Sequence, residues 1–136
     1  MNENTAPVIR FLGYRVTNIS YHCDPDTELN ADDTRYKFNF SKSNILLSDN
    51  EVQEDICVYI FHGEDSDFSS SRYQLSVGMS GRFQCSGMWQ SKWEANALAI
   101  LFPYLRSLVS IITSNSGREP LILPTVNLAS LFEEKA

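Results

Sequence analysis

The sequence predicts an α+β fold: a four-stranded antiparallel sheet, then a long helix and a short C-terminal helix, in one domain spanning residues 1–136. Three observations lead there. Segments rich in β-branched and aromatic residues, several with period-two alternation, fill the chain up to residue 86. An apolar pattern of period 3.6 begins near residue 91. No helical segment separates the strands, so the crossovers that parallel pairs require are missing.

Residues 8–21 form the first expected strand, with Leu12, Tyr14 and Val16 on one parity. Residues 22–34 are a polar, acidic loop holding Pro25. Residues 35–47 form the second strand, in which Tyr36, Phe38 and Phe40 alternate, and Ser48-Asp49-Asn50 is a turn signal. Residues 56–61 are continuously apolar, which predicts a strand covered on both faces. Residues 63–71 are a Ser/Asp-rich turn. The period is clearest in residues 73–86. Tyr73, Leu75, Val77, Met79, Phe83 and Cys85 share one face and polar residues the other, and Gly78 and Gly81 mark a bulge or bend.

Ser91 and Glu94 have capping-box spacing at the start of a helix that runs to about residue 114. Leu98, Leu101, Phe102, Leu105, Val109 and Ile112 form an apolar stripe. Ala97, Ile100, Tyr104, Leu108 and Ile111 make the other side apolar too. One sheet covers one side only, so the helix is expected to mediate homo-oligomerisation, with that stripe as interface residues. Pro103 should kink the helix or break its register near Ala99, and Gly117 can cap its end. Residues 119–124 are extended and proline-bounded. Residues 126–134 are the short helix, with Leu128, Leu131 and Phe132 on its apolar side.

The net charge of -6 argues against nucleic-acid binding and against direct binding to an anionic membrane. The N-terminus has no basic region followed by an apolar one, so no signal peptide is read there. Residues 95–112 are interrupted by Asn96, Pro103, Arg106 and Ser107, which makes them too polar for a membrane span. Cys23, Cys57 and Cys85 are an odd, sparse set that suits free thiols and a cytoplasmic location.

Nothing in the sequence points to an enzyme, a cofactor or a metal. No phosphate-binding loop, nucleophile elbow or zinc-protease motif occurs. His22 and Cys23 beside Asp24 and Asp26 fit no zinc spacing. Glu51, Glu54 and Asp55, and likewise Glu64, Asp65 and Asp67, flank turns and read as solvated faces. What stands out is more aromatic and apolar surface than a small monomer buries, which suits an interaction surface.

Two motifs refine this. The run Ile100-Leu101-Phe102-Pro103-Tyr104-Leu105-Arg106 resembles the LFPYxR signature of the SecB export-chaperone family. The segment from Pro120 to Leu128, followed by Leu131-Phe132, is similar to that family's P-x-L-x-L-x-P-V-N-F…L-F pattern, with Thr125 inserted. Gly81-Arg82-Phe83 is similar to its G-G-x-F step. The resemblance implies an ATP-independent holdase that assembles as a dimer of dimers and binds unfolded polypeptides in long grooves. It implies groove positions at Tyr73, Val77 and Tyr104, to which Phe83, Leu121 and Leu123 are added. Export-type members carry acidic residues on the exposed sheet that dock the SecA motor. Asn18, His22, Gln74 and Ser76 stand there in this sequence, which weighs against SecA as a partner. Solitary members that guard antitoxins of toxin–antitoxin systems offer an alternative role. Outside the resemblance, an oligomeric interaction domain with one dedicated partner remains the competing reading.

Overall fold

The computed structural model describes residues 8–25, 36–118 and 120–124. Four strands form one antiparallel sheet: β1 (Ile9–Cys23), β2 (Tyr36–Ser48), β3 (Glu51–His62) and β4 (Tyr73–Cys85). Their spatial order is β1-β4-β3-β2. Consecutive hairpins join β2, β3 and β4, and β1 returns beside β4, which is a Greek-key order. A single 3₁₀ turn (Ser91–Trp93) leads into helix α1 (Glu94–Ser114), which crosses the face of β1, β4 and β3. The expected C-terminal helix at residues 126–134, with Leu128, Leu131 and Phe132, lies outside the described residues.

The two central strands hold the core. β3 alternates between half-buried and buried residues from Glu51 to Ile60, and the odd-numbered residues of β4 are buried against it. Val58, Ile60, Leu75, Val77 and Phe83 are fully enclosed between sheet and helix. Burial of each such side chain contributes about 1.5–3 kcal/mol. β3 starts five residues before the expected 56, because Val52 and Glu54 continue the inward period that Ile56, Val58 and Ile60 define. Its far end is covered on both faces. Phe68 from the β3–β4 connection packs edge-on against Tyr59 and Phe61, with ring centroids 5.3 and 6.4 Å away.

That connection is held by its acids rather than merely solvated by them. The Asp65 carboxylate accepts from Ser71 Oγ at 2.8 Å and from the Arg72 amide. Asp67 accepts from the Ser70 amide and hydroxyl and from Ser69 Oγ. Hydrogen bonding to the charged form pulls both carboxyls below the usual range, led by Ser71 at Asp65 and by Ser70 at Asp67.

Helix α1 runs unbroken through Pro103. Ala99, whose carbonyl loses its partner there, is exposed together with Pro103, so water can take the vacant bond. The expected capping box is not formed. Ser91 lies in the 3₁₀ turn, and the helix N-cap is Trp93 without a side-chain bond. Gly117 does adopt a left-handed φ of 83° at the helix end. By length and composition Ser91–Ser114 is apolar enough to cross a bilayer, contrary to the sequence reading. Here the helix buries Leu98, Leu101, Phe102, Leu105 and Val109 on the sheet, as a core helix does. The segment after it is pinned back. The Leu121 amide donates to Thr113 Oγ1 at 2.8 Å, and Ser110 Oγ donates to the Leu121 carbonyl.

Candidate functional site

Six residues were expected to line a client groove. Five of them, Tyr73, Val77, Phe83, Leu121 and Leu123, are buried in the chain's own core, and Tyr104 alone is exposed. Leu98, Leu101, Phe102, Leu105 and Val109 face this chain's own sheet, and Ile112 is half-buried against the same core. The most apolar stripe of a helix goes to the nearest sheet, which leaves the outer side, with Ile111, for any second subunit.

The apolar surface that remains open centres on β1. This strand slips register against β4 between Phe11 and Gly13, and again between Val16 and Asn18. Each slip moves the following residues to the other face. On the helix side lie Ile9 and Phe11 opposite Cys85 and Phe83, then Tyr14 and Val16 opposite Gly81 and Met79, then Ile19 and Tyr21 opposite Val77 and Leu75. The bulges sit in β1, not at Gly78 and Gly81, and β4 pairs with β3 without a shift. Gly78 serves the second bulge, since a Cβ there would lie 2.8 Å from Thr17 Oγ1. The sequence signal for the first was Gly13, a lone glycine inside a strand, with φ of 120°.

Helix α1 does not cover this strip. Tyr14, Val16 and Ile19 are 43%, 43% and 52% exposed, although they point to the helix side. Tyr104 borders them from the helix. Its ring centroid is 4.7 Å from that of Tyr14 and 5.5 Å from that of Phe11. Phe11 in turn packs on buried Phe83 at 5.3 Å. Rings anchored at one end and open at the other make rigid apolar contact area at low entropic cost. A second aromatic group, Tyr21, Tyr73 and Tyr36, packs edge-on beyond Ile19 along the strand, at 5.6 and 5.3 Å. Burial pushes the Tyr73 hydroxyl far up, so it stays protonated.

One polar cluster lies inside the same layer. Glu54, expected on a solvated face, is 1% exposed beneath the start of α1. Asn44 donates to Glu54 at 3.2 Å and also to Glu94, and Lys42 pairs with Glu94. Desolvation first, then the neighbouring Glu94 charge, pushes Glu54 up to about 8. Period two through Val52, Glu54 and Ile56 was the signal that placed it inward.

The outer face of the sheet is polar and partly engaged with itself. Asn18 Nδ2 donates to Ser76 Oγ at 2.9 Å, and Gln74 Nε2 donates to the Phe68 and Ser69 carbonyls. His22 Nε2 lies 3.3 Å from Asp24. None of these four positions offers an acidic side chain.

With that geometry in place, comparisons with known proteins decide the family. The family described as preprotein translocase subunit SecB matches residues 24–136. The chain belongs to the SecB family. An uncharacterized protein of Methanocaldococcus jannaschii is 33% identical over 135 residues, covering 91% of this chain and 82% of that protein. The protein-export protein SecB of an Azoarcus species is 30% identical over 89 residues, which is 62% of this chain and 56% of that SecB. Among solved structures, the Mycobacterium tuberculosis Rv1957 SecB-like chaperone, in complex with a ChAD peptide from the HigA1 antitoxin, superposes with a TM-score of 0.63. It covers 87% of this chain and 90% of its own, at 13% identity. A protein of unknown function from Streptococcus agalactiae gives 0.52 at 10% identity, covering 89% and 100%. These likenesses are of fold. The family and the fold agree with the four-stranded sheet and long helix expected from the sequence.

Proposed function

We propose that this SecB-family chain is an ATP-independent holdase that binds non-native polypeptides in the cytoplasm. The observation that carries the reading is the open strip of Tyr14, Val16 and Ile19 beside Tyr104. It is apolar and aromatic, it faces the helix side of the sheet, and nothing among the described residues covers it. A client segment laid along β1 would bury these side chains through many weak contacts. The groove floor is the buried set Tyr73, Val77 and Phe83, which supports the strip without touching a client. Leu121, attached to Thr113 and Ser110, would close one end together with the buried Leu123. Assembly into a dimer or a dimer of dimers would use the outer side of α1, around Ile111.

A narrower reading has its own support. The Mycobacterium tuberculosis neighbour is bound to an antitoxin peptide. A single dedicated client of that kind, rather than preproteins handed to SecA, would suit an outer sheet face that lacks acids at residues 18, 22, 74 and 76.

The test is suppression of aggregation. The purified chain should hold several unrelated denatured proteins in solution, and Val16→Ser with Ile19→Ser should lose most of that effect while the fold persists. Failure with every unrelated substrate, alongside one tight complex recovered from cells, would leave the dedicated-client reading in its place.

A further inference from the structure

The outer face of the sheet carries a second feature, unrelated to the apolar strip. The first bulge of β1 leaves Gly13 opposite Arg82 on that face, and apart from Gly13 and its chain neighbours no heavy atom lies within 4 Å of where a Cβ on Gly13 would be. The missing side chain opens a notch in an otherwise continuous sheet surface. A cavity of about 440 Å³ sits there, walled by Arg15, Arg82, Ser80, Gln53 and Glu51, whose carboxylate is engaged by Arg82. In register, Arg15 stands opposite Ser80, and Gln53 stands on the far side of Arg82. Arg10 lies farther along β1 on the same face, opposite Gln84. Three of the six arginines among the described residues (Arg10, Arg15, Arg72, Arg82, Arg106 and Arg118) therefore gather here, on a chain whose net charge is -6.

Their charges are only partly answered. Arg82 Nη2 donates to Glu51 at 2.9 Å, which fixes one edge of the guanidinium; its other N–H groups make no bond among the described residues. Arg15 makes no hydrogen bond or ion pair among the described residues. The acids of this face, Glu51 and Asp55, both stand on β3, and Asp55 accepts from Ser43 and Gln53. The β1–β4 half of the face is thus cationic and the β3 half anionic.

We infer that the Gly13 notch is a docking site for a carboxylate-bearing segment of a partner polypeptide, held by Arg15 and Arg82 with Ser80 and Gln53 as neutral hydrogen-bond partners. Charge complementarity selects the occupant. Two guanidinium groups beside a glycine-floored opening accept a planar carboxylate in forked geometry, which a lysine patch would not orient. The space exceeds what a single small anion fills and accommodates two or three side chains, which favours a peptide over free phosphate. A basic partner would meet two arginines at the notch and is disfavoured.

The experiment titrates the full chain with a capped acidic hexapeptide, its Gln/Asn twin and inorganic phosphate, following backbone amide shifts. The acidic peptide should shift Gly13, Arg15, Ser80 and Arg82, and the neutral twin should not. Raising salt from 50 to 300 mM should weaken the effect, since this site is exposed. Arg15→Gln should weaken binding by about tenfold, the usual effect of removing one charge-assisted bond. Arg15 has no partner among the described residues, so this variant tests the site even if Arg82→Gln fails to fold. Equal shifts from the neutral twin, unchanged affinity in Arg15→Gln, or phosphate binding as tightly as the peptide would each overturn the proposal. Dissociation of an oligomer by Arg15→Gln would overturn it too, by making the patch a contact between copies. Aggregation suppression should be unchanged in Arg15→Gln, so failure here is distinguishable from failure of the holdase reading.

Discussion

β4 and β1 are neighbouring strands, 13 and 15 residues long, paired to each other along nearly their whole length. Both carry apolar residues at close intervals, yet they meet opposite fates. β4 keeps one parity from end to end, lies between two partners, and buries every inward side chain. β1 changes parity twice and has no second strand partner among the described residues. Tyr14, Val16 and Ile19 stay open although they face the helix side. A regular strand in the middle of a sheet is a device for stability. A bulged strand at its edge re-aims side chains and keeps apolar surface available.

That contrast orders the expected effects of substitution. Leu101, fully buried over Gly81, should be the most sensitive position. Leu101→Asp places a charge in the core and should leave the chain unfolded, or destabilise it by roughly 3–5 kcal/mol, as read by urea denaturation. Leu75→Ala on β4 should cost about 2–5 kcal/mol by the same measurement.

The acid cluster tests the central strands differently. Glu54 is raised in the folded state, so folding takes up a proton between its ordinary value and about 8. Stability should therefore fall as pH rises across that window and level off above it. Glu54→Gln should remove most of this slope, matching the wild type near pH 5 and exceeding it at pH 8.5 by up to a few kcal/mol. A wild type whose unfolding midpoint is flat from pH 5 to 8 would show that Glu54 is not enclosed as described.

At the edge the effects should be smaller. Gly13→Ala meets no steric neighbour but needs a backbone conformation that alanine resists, at about 1–3 kcal/mol. Val16→Ser should move stability by less than about 1 kcal/mol, because its side chain is already 43% exposed. The comparison breaks if Val16→Ser costs as much as Leu75→Ala, since that would make the strip part of the core. It sharpens if Val16→Ser lowers client binding while Leu75→Ala, still folded, does not.

How far the sequence could be read follows the same divide. The order of elements, the antiparallel sheet and the long helix were legible, because period two in residues 73–85 and period 3.6 in residues 98–112 survive intact in the fold. The SecB motif around Phe102 and Pro103 was legible as well. The parity of β1 was not, because each bulge resets the period that the reading depends on. The burial of Glu54 was missed for another reason: a glutamate beside two acids looks solvated, although period two through Val52 and Ile56 turns it inward.

Composition and periodicity by themselves determined an acidic α+β domain with surplus apolar surface, and local motifs determined its family. Only the tertiary structure decided which apolar side chains stay open. Burial depends on what lies across from a residue, and sequence alone does not specify that. The helix had one sheet to cover and spent its best stripe there. The exposed strip, the enclosed Glu54 and the notch at Gly13 are all consequences of how β1, β3 and α1 meet in space.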